Sequence, residues 1–448
     1  MKFDSGIFKS YDIRGIYPET INEDLVKAIG IAMVNKFGFQ KVAVGRDGRV
    51  SSPELVKAII EGITAAGADA VDLGITCTDM ACTASASYDD IDSAIMITAS
   101  HNPSEYNGLK ATSKGATAIS GQDGFYEVRD MIASDDLMES DKKGTASKRD
   151  PYDHYTEKLL SLIDAKKIKP LKIVVDAGNG VGGFIFEKVT KDLPIEIIPL
   201  YFEIDGRFPN HQPSPIEEKN LIDLKKKVID ENADLGLAFD GDGDRVYLID
   251  EKGQTVSATL TSAMIAKEML RKKPGGHINY NINVGWIVPE TIAKYGGTSQ
   301  VTPVGYSLIK PQMRREGSIF ACEHSGHYFF PDLYYADSGM MASLIVIEII
   351  SKSGQTISEI LKEFDIYFLS GELNTKVKDQ VSKISLLQEK YSDGDQSEMD
   401  GLKVEYKDWR FIVRGSNTEP LLRLNVEAKT KELMEQKTKE LMELIQSD

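Results

Sequence analysis

Apolar and polar positions alternate along this chain in two periods. Short apolar runs such as Lys41-Val42-Ala43-Val44-Gly45 end in glycine turns. Segments with apolar residues at helical spacing follow them. After Ser52-Pro53-Glu54, which offers a cap and a first-turn proline, Leu55, Ile59, Ile60 and Ile63 recur at that spacing. Ala70-Val71-Asp72-Leu73 and Ser93-Ala94-Ile95-Met96-Ile97-Thr98 read as further strands. This β-α-β rhythm predicts a mostly parallel sheet with covering helices.

The rhythm breaks and restarts. A polar stretch over 134–150, then Pro151 and a helix predicted over 152–162, place a domain boundary near 150. Leu171-Lys172-Ile173-Val174-Val175-Asp176 and the glycine-rich Gly178-Asn179-Gly180-Val181-Gly182-Gly183 repeat the order strand, turn, helix. A third restart follows Glu251-Lys252-Gly253, with a helix near 260–270. The segment 371–400 departs from the pattern. The remainder, 402–448, reads as a smaller α+β unit with strands around Trp409-Arg410-Phe411-Ile412-Val413 and a terminal amphipathic helix. No residue-level repeat links the restarts. At about 150 residues per domain, the 448 residues suggest three domains, with two or four within range.

Composition narrows the function classes. Apolar residues make up 41% and charged residues 27%, as in ordinary globular proteins. With 53 Lys and Arg against 69 Asp and Glu, the net charge is −16, which argues against nucleic acid or an anionic membrane as partner. Local Arg and Lys clusters still leave room for an anionic small substrate. Cys77, Cys82 and Cys322 are three in number with no Cys-x-x-Cys pair, so neither a disulfide framework nor structural zinc is expected, and a reducing cytoplasm fits. Residues 1–11 carry Lys2, Asp4 and Lys9 and do not read as a signal peptide. No apolar run long enough for a membrane helix occurs.

Four motifs carry chemistry. The first is Thr98-Ala99-Ser100-His101-Asn102-Pro103-Ser104-Glu105-Tyr106-Asn107-Gly108-Leu109-Lys110. A strand delivers Ser100 to a turn, where parallel sheets bind ligands, and His101 and Lys110 add cationic or proton-transferring partners. A polar turn with an incidental serine is the plain alternative. A Ser–His hydrolase lacks a Gly-x-Ser-x-Gly elbow, and neighbours on an extended chain point opposite ways.

The second motif is Asp240-Gly241-Asp242-Gly243-Asp244-Arg245, after the strand-like Leu235-Gly236-Leu237-Ala238-Phe239. Three close carboxylates repel one another unless a hard cation is bound, and glycines let the loop aim their oxygens at one point. Arg245 stands where an EF-hand needs glycine, and Arg245 beside the carboxylates favours Mg²⁺ shared with a phosphate. A solvated acidic turn is the alternative.

The third motif is Cys322-Glu323-His324-Ser325-Gly326-His327. Zinc competes for it, but no second ligand cluster of zinc spacing is present. Glu323 and Ser325 suit sugar hydroxyls. The fourth is Arg414-Gly415-Ser416-Asn417-Thr418-Glu419-Pro420 with Arg423, a phosphate cradle of guanidinium, hydroxyls and backbone N–H groups, or a capped surface turn. Tyr11-Asp12-Ile13-Arg14-Gly15 and Gly45-Arg46-Asp47-Gly48-Arg49, taken alone, read as structural turns with exposed charges. Asp176-Ala177-Gly178-Asn179-Gly180 lacks the order of a dinucleotide loop.

Together these motifs, in this order, resemble the α-D-phosphohexomutase family, most closely its phosphomannomutase/phosphoglucomutase branch. The resemblance implies three mixed-sheet α/β domains plus a smaller α+β C-terminal domain around a central cleft. On this chain they fall at 1–150 (phosphoserine loop), 151–252 (metal-binding loop), 253–368 (sugar-binding loop) and 369–448 (phosphate-binding domain). It implies that Ser100 is the phosphoserine and that Asp240, Asp242 and Asp244 hold Mg²⁺ with it. Arg14, Lys110 and His327 become candidates for proton transfer or transition-state support near the reacting oxygen, with His101 and Arg245 beside the phosphoryl group. Glu323 and Ser325 would bind sugar hydroxyls. Arg414, Ser416, Asn417 and Thr418, with Arg423 nearby, would grip the phosphate that does not react. Tyr306 stands where many relatives have a histidine that touches phosphate or sugar.

The implied reaction interconverts hexose 1-phosphate and hexose 6-phosphate, of mannose, glucose or both, through a 1,6-bisphosphate that also serves as activator. The implied partners are sugar phosphates alone, with no nucleic acid or membrane, for a cytoplasmic monomer or dimer. A phosphoglucosamine mutase, a metal-dependent sugar phosphatase and an inactive sugar-phosphate-binding homologue are the rival readings.

Overall fold

A computed structural model of the protein describes residues 1–415 and 421–447. Its strands form four sheets among the described residues. In the first, the order is Ile13–Ile16, Tyr106–Ser113, Ser93–Ile97, Lys41–Arg46, Asp69–Ile75 and Ala146–Lys148. The strands Ser93–Ile97, Lys41–Arg46 and Asp69–Ile75 run parallel, and Tyr106–Ser113 runs back antiparallel beside Ser93–Ile97. Every residue of Ser93–Ile97 is buried, as a central strand covered on both faces requires. The polar stretch assigned to a boundary contributes a strand, Ala146–Lys148, to the edge of this sheet.

The second sheet orders Thr255–Val256, Val246–Ile249, Leu235–Phe239, Leu171–Asp176 and Ile195–Leu200. The third orders Thr298–Thr302, His277–Asn281, Phe320–Cys322, Tyr328–Phe330 and Ala336–Asp337. Both mix parallel strands with an antiparallel edge, Leu235–Phe239 against Val246–Ile249 and Phe320–Cys322 against Tyr328–Phe330. The fourth sheet is antiparallel throughout, centred on Trp409–Gly415 and Leu421–Ala428, with helices Gln380–Lys390 and Lys431–Gln446 packed against it. Three mixed α/β sheets and a smaller α+β unit therefore form the architecture that the resemblance implies.

One continuous apolar core joins the second and third sheets, whereas the first and fourth keep separate cores. The joining element is Gly339–Ser353, apolar on nearly every side and buried along most of its length. Its one buried carboxylate, Glu348, accepts from Lys272 Nζ at 2.7 Å, Lys352 Nζ at 2.7 Å and the Asp164 N–H at 2.8 Å. Shared packing of this kind fixes the loops of the two sheets relative to each other.

Candidate active site

Ser100 follows the buried strand Ser93–Ile97 and is 2% exposed. Its backbone is left-handed, with φ at 51°, a strained state for a residue with a Cβ. The surroundings explain how it persists. Arg49 is 1% exposed and donates to four carbonyls of the serine loop: Ser100 and Tyr106 at 2.8 Å, Asn102 and Pro103 at 2.6 Å. Asp47 faces Arg49 at 3.2 Å and accepts from Thr98 Oγ1 at 2.7 Å, and Thr98 Oγ1 accepts from the Ser100 N–H at 2.8 Å. The expected exposed charges at Asp47 and Arg49 are thus buried. Burial raises the pKa of Asp47 despite Arg49, and lowers that of Arg49 despite Asp47.

Opposite Ser100 stands the loop between Leu235–Phe239 and Val246–Ile249. Asp240, Asp242 and Asp244 are each 0% exposed. Strands flank the loop, which excludes an EF-hand. A Cβ at Gly241 would meet the Ser100 carbonyl at 2.6 Å, so only glycine lets the two loops approach this closely. Ser100 Oγ donates to Asp240 Oδ2 at 2.8 Å. Arg245 Nε donates to the same oxygen, and Arg245 Nη2 to Ser100 Oγ, both at 2.8 Å. Lys110 Nζ donates to Asp242 Oδ2 at 2.8 Å and to Asp244 Oδ2 at 2.6 Å. Thr78 Oγ1 adds a bond to Asp242 Oδ2 at 2.6 Å.

Charge balance in this pocket is incomplete. Burial, followed by Asp244 and Asp242, raises the Asp240 pKa to about 7 despite Arg245. Burial would raise Asp242 too, but Lys110 outweighs it and holds that carboxyl far below its usual range. Asp242 Oδ1 and Asp244 Oδ1 are buried with no hydrogen-bond partner. One oxygen from each of the three carboxylates lies within 4.8 Å of the others. Bare, hard oxygens converging this closely fit a divalent cation such as Mg²⁺.

His101 departs from expectation. The extended-chain argument turns it away from Ser100, but the left-handed turn brings His101 Nδ1 within 3.3 Å of Ser100 Oγ. The same nitrogen contacts Arg245 Nη2. Burial, then Arg245 and Arg14, push its pKa well below the usual histidine range. Arg14 approaches from the first strand, with Nε donating to Asp12 Oδ2 at 2.8 Å and Nη1 to the Ala99 carbonyl at 3.2 Å.

The third motif closes another side. Backbone pairing of Arg245 with His327, and the Val246 N–H donating to the Gly326 carbonyl at 3.4 Å, tie this loop to the acidic loop, and the Glu323 N–H donates to the His327 carbonyl at 3.0 Å within it. Glu323 is 2% exposed; its Oε1 accepts from the Gly305 N–H at 2.9 Å, and its Oε2 lies 3.3 Å from His327 Nδ1. Ser325 Oγ lies 2.8 Å from the same nitrogen, and His327 Nε2 lies 3.7 Å from Asp244 Oδ1. Burial disfavours the imidazolium of His327, but Glu323 and Asp244 outweigh it and raise its pKa. The Tyr306 hydroxyl donates to the Tyr11 carbonyl, so it ties the first and third sheets together. Zinc is not supported: Cys322 Sγ has Asn279 O at 4.0 Å, and His324 turns to Glu372 at 3.3 Å.

Arg414 and Arg423 are directly paired across the fourth sheet. Like charges opposite one another are unfavourable without an anion between them. Each touches one carboxylate, Asp400 at 3.8 Å and Glu372 at 3.4 Å, and each has a buried Nε with no partner. An oxyanion between the two guanidinium groups would offset their repulsion. Ser416, Asn417 and Thr418 lie outside the described residues.

Comparison with known proteins decides the family. Models of the phosphoglucomutase/phosphomannomutase α/β/α domains I, II and III match residues 5–136, 153–253 and 259–367, and the C-terminal domain of that family matches 372–444. The chain belongs to the phosphoglucomutase/phosphomannomutase family. It is 36% identical over 432 residues to phosphohexose mutases of Xanthomonas campestris pv. campestris (strain B100), covering 94% of this chain and 95% of that one. It is 36% identical over 437 residues to the phosphomannomutase/phosphoglucomutase of Pseudomonas aeruginosa, covering 96% and 93%. The crystal structure of a phosphoglucomutase/phosphomannomutase family protein from Burkholderia thailandensis superposes with a TM-score of 0.90 at 34% identity, over 99% of this chain and 97% of that one. This phosphohexomutase is a hexose phosphate mutase, an intramolecular phosphotransferase.

Several residues around Ser100 and the acidic loop escape sequence reading. Arg49 and Asp47 look like surface charges on a glycine turn. Thr78 lies in an unremarked segment. Gln212 Nε2 donates to the His101 carbonyl at 2.6 Å, and its neighbour His211 pairs with Asp176 at 3.0 Å. Lys310 Nζ donates to Asp337 Oδ1 at 2.7 Å behind His327. The charged residues after the strand Lys41–Arg46 were the one available signal, since parallel strands place function at their carboxyl ends.

Proposed function

We propose that this phosphohexomutase carries the transferred phosphoryl group on Ser100 and acts on the 1- and 6-phosphates of glucose and mannose. The supporting observation is the position of Ser100 Oγ, 2.8 Å from Asp240 Oδ2 and 2.8 Å from Arg245 Nη2, beside carboxylates with unpartnered oxygens. The names of the relatives, phosphomannomutase and phosphomannomutase/phosphoglucomutase, support the two sugars.

Phosphorylated Ser100 gives its phosphoryl group to the free 6-hydroxyl of a hexose 1-phosphate. The bond from Ser100 Oγ to phosphorus breaks as the bond from the sugar oxygen forms. The hydroxyl proton passes to His327 in its neutral form, while Arg14 and Lys110, protonated beside Asp12 and beside Asp242 and Asp244, support the transition state. Arg245 and Lys110 offset charge on the transferring oxygens. Asp240, Asp242 and Asp244, with the serine, would hold Mg²⁺, which when bound neutralises phosphoryl charge. Glu323 and Ser325 orient the ring hydroxyls. Arg414 and Arg423 hold whichever phosphate does not react, so the bisphosphate can turn end for end and return its other phosphate to Ser100. The domain limits at 150, 252 and 368 assign one motif to each unit. Three buried free cysteines suit a reducing cytoplasm.

Incubation with Mg²⁺, glucose 1-phosphate and a trace of the 1,6-bisphosphate tests this reading. Glucose 6-phosphate is the expected product. Free phosphate without isomerisation identifies a phosphatase instead, and no turnover a binding protein. Turnover of glucosamine 1-phosphate above both other sugars contradicts the substrate assignment.

A further inference from the structure

Asp242 uses its two carboxylate oxygens differently. Its Oδ2 accepts from Thr78 Oγ1 at 2.6 Å and from Lys110 Nζ at 2.8 Å. Its Oδ1 takes no hydrogen bond. Thr98 Oγ1 also lies 3.3 Å from Oδ2, but its single proton goes to Asp47 at 2.7 Å. Two donors therefore set the direction of the Asp242 carboxylate, and they are not equivalent. Lys110 is shared with Asp244 Oδ2 at 2.6 Å and brings a full charge. The Thr78 hydroxyl gives its one proton to Asp242 and is neutral.

Thr78 holds residue 242 at two points. Besides the hydroxyl bond, the Thr78 N–H donates to the Asp242 carbonyl at 2.9 Å. The two residues are 164 apart in sequence, and they bring together the units of the first and second sheets. Thr78 is 3% exposed, and all five residues of its short helix, Thr78–Cys82, are buried. A β-branched side chain has few rotamers, so packing fixes where its hydroxyl points. The neighbours of Thr78 lock the segment in place. Asp79 accepts from the Tyr155 hydroxyl, and a Cβ at Gly243 would meet the Cys77 Cβ at 3.3 Å.

We infer that Thr78 is a positioning residue for the metal: by occupying Oδ2 it turns Asp242 so that Oδ1 is the oxygen left to ligate the cation. The inference rests on the reading that Asp240, Asp242 and Asp244 hold Mg²⁺. Carboxylates that ligate metals are themselves hydrogen-bonded, and loss of such a partner weakens metal binding roughly 10–100-fold. A neutral donor suits the task. It fixes the carboxylate and leaves its negative charge for the cation, whereas the Lys110 ammonium offsets part of that charge.

Titration of the substrate-free enzyme with Mn²⁺, a hard divalent cation with the same preference for oxygen ligands, tests the inference, with free ion read by electron paramagnetic resonance. The site compared is the one that Asp242→Asn loses. Thr78→Val keeps the shape and removes the hydroxyl, so Kd for Mn²⁺ should rise roughly tenfold or more. Thr78→Ser keeps the hydroxyl and should bind Mn²⁺ as wild type does. Circular dichroism shows which variants are folded, and Thr78→Ala takes the place of Thr78→Val if that variant does not fold. Wild-type affinity in a folded Thr78→Val or Thr78→Ala enzyme removes Thr78 from the metal site and leaves the metal reading standing. Affinity in Thr78→Ser as weak as in Thr78→Val also overturns the inference. Mn²⁺ binding that Asp242→Asn does not change overturns the metal reading, and this inference with it.

Discussion

Ser100 is held in an unfavourable backbone state by partners far away in sequence. Arg49 is 51 residues from the Ser100 carbonyl it binds and 57 from that of Tyr106. Its substitution removes one guanidinium from four carbonyls of the serine loop and from Asp47. Arg49→Leu should therefore destabilise the protein by about 3–5 kcal/mol, the usual effect of breaking a buried ion pair. Turnover should fall further than stability explains, since the serine loop relaxes. Thermal denaturation and steady-state kinetics check this together; a variant with wild-type stability and rate would remove Arg49 from the support of Ser100. Sequence could not show this role, because burial of a charge after a glycine turn depends on a loop that folds over it. The serine itself was legible, since strand, polar turn and Asn-Pro stand together in one segment.

At the scale of elements, strands and helices of the α/β part follow from the apolar rhythm. Leu171–Asp176 and Ser52–Ala65 begin where the pattern and the proline place them. The convergence of the acidic loop was legible too, because three carboxylates alternate with two glycines straight after a strand. Glu372 was not: it lies in a linker, and its partners are 48 and 51 residues away. The paired Arg414 and Arg423 lead to a kinetic prediction. Arg414→Ala removes a charge-assisted donor of about 1.5–3 kcal/mol, so KM for hexose phosphates should rise roughly tenfold to hundredfold. An unchanged KM would exclude Arg414 from phosphate binding. Glu372 makes a separate prediction about pH. Burial raises its pKa, but His324 and Arg423 outweigh burial and lower it to about 2. The folded state thus favours the ionised form, and this stabilisation is complete above the unfolded value of about 4.3. It is lost as pH falls from there towards 2. Glu372→Gln should flatten that part of the acid-unfolding curve followed by circular dichroism; an identical curve would deny the bridge.

Across the whole molecule, the cores of the second and third domains are continuous and those of the first and fourth are their own. Trp409 lies within the fourth core, and the Trp286 indole donates to Glu405 of that domain at 2.8 Å. These are the two tryptophans of the chain. Urea unfolding followed by tryptophan fluorescence should therefore report the C-terminal unit, and its midpoint should differ from that of far-ultraviolet circular dichroism. Coincident curves would show one cooperative unit. The restarts in the sequence mark where each new strand–turn–helix segment begins. They could not show which cores merge, since helix Gly339–Ser353 serves two sheets at once.

In the proposed function the residue, the loops and the domains serve one step, transfer of a phosphoryl group between Ser100 and a hexose. The most direct test is to mix the enzyme with glucose 1,6-bisphosphate labelled in phosphorus, quench, and map the label by peptide mass spectrometry. The label should sit on Ser100 and move back into hexose phosphate when unlabelled glucose 1-phosphate is added. Label on another residue, or full isomerisation by Ser100→Ala, would contradict the account.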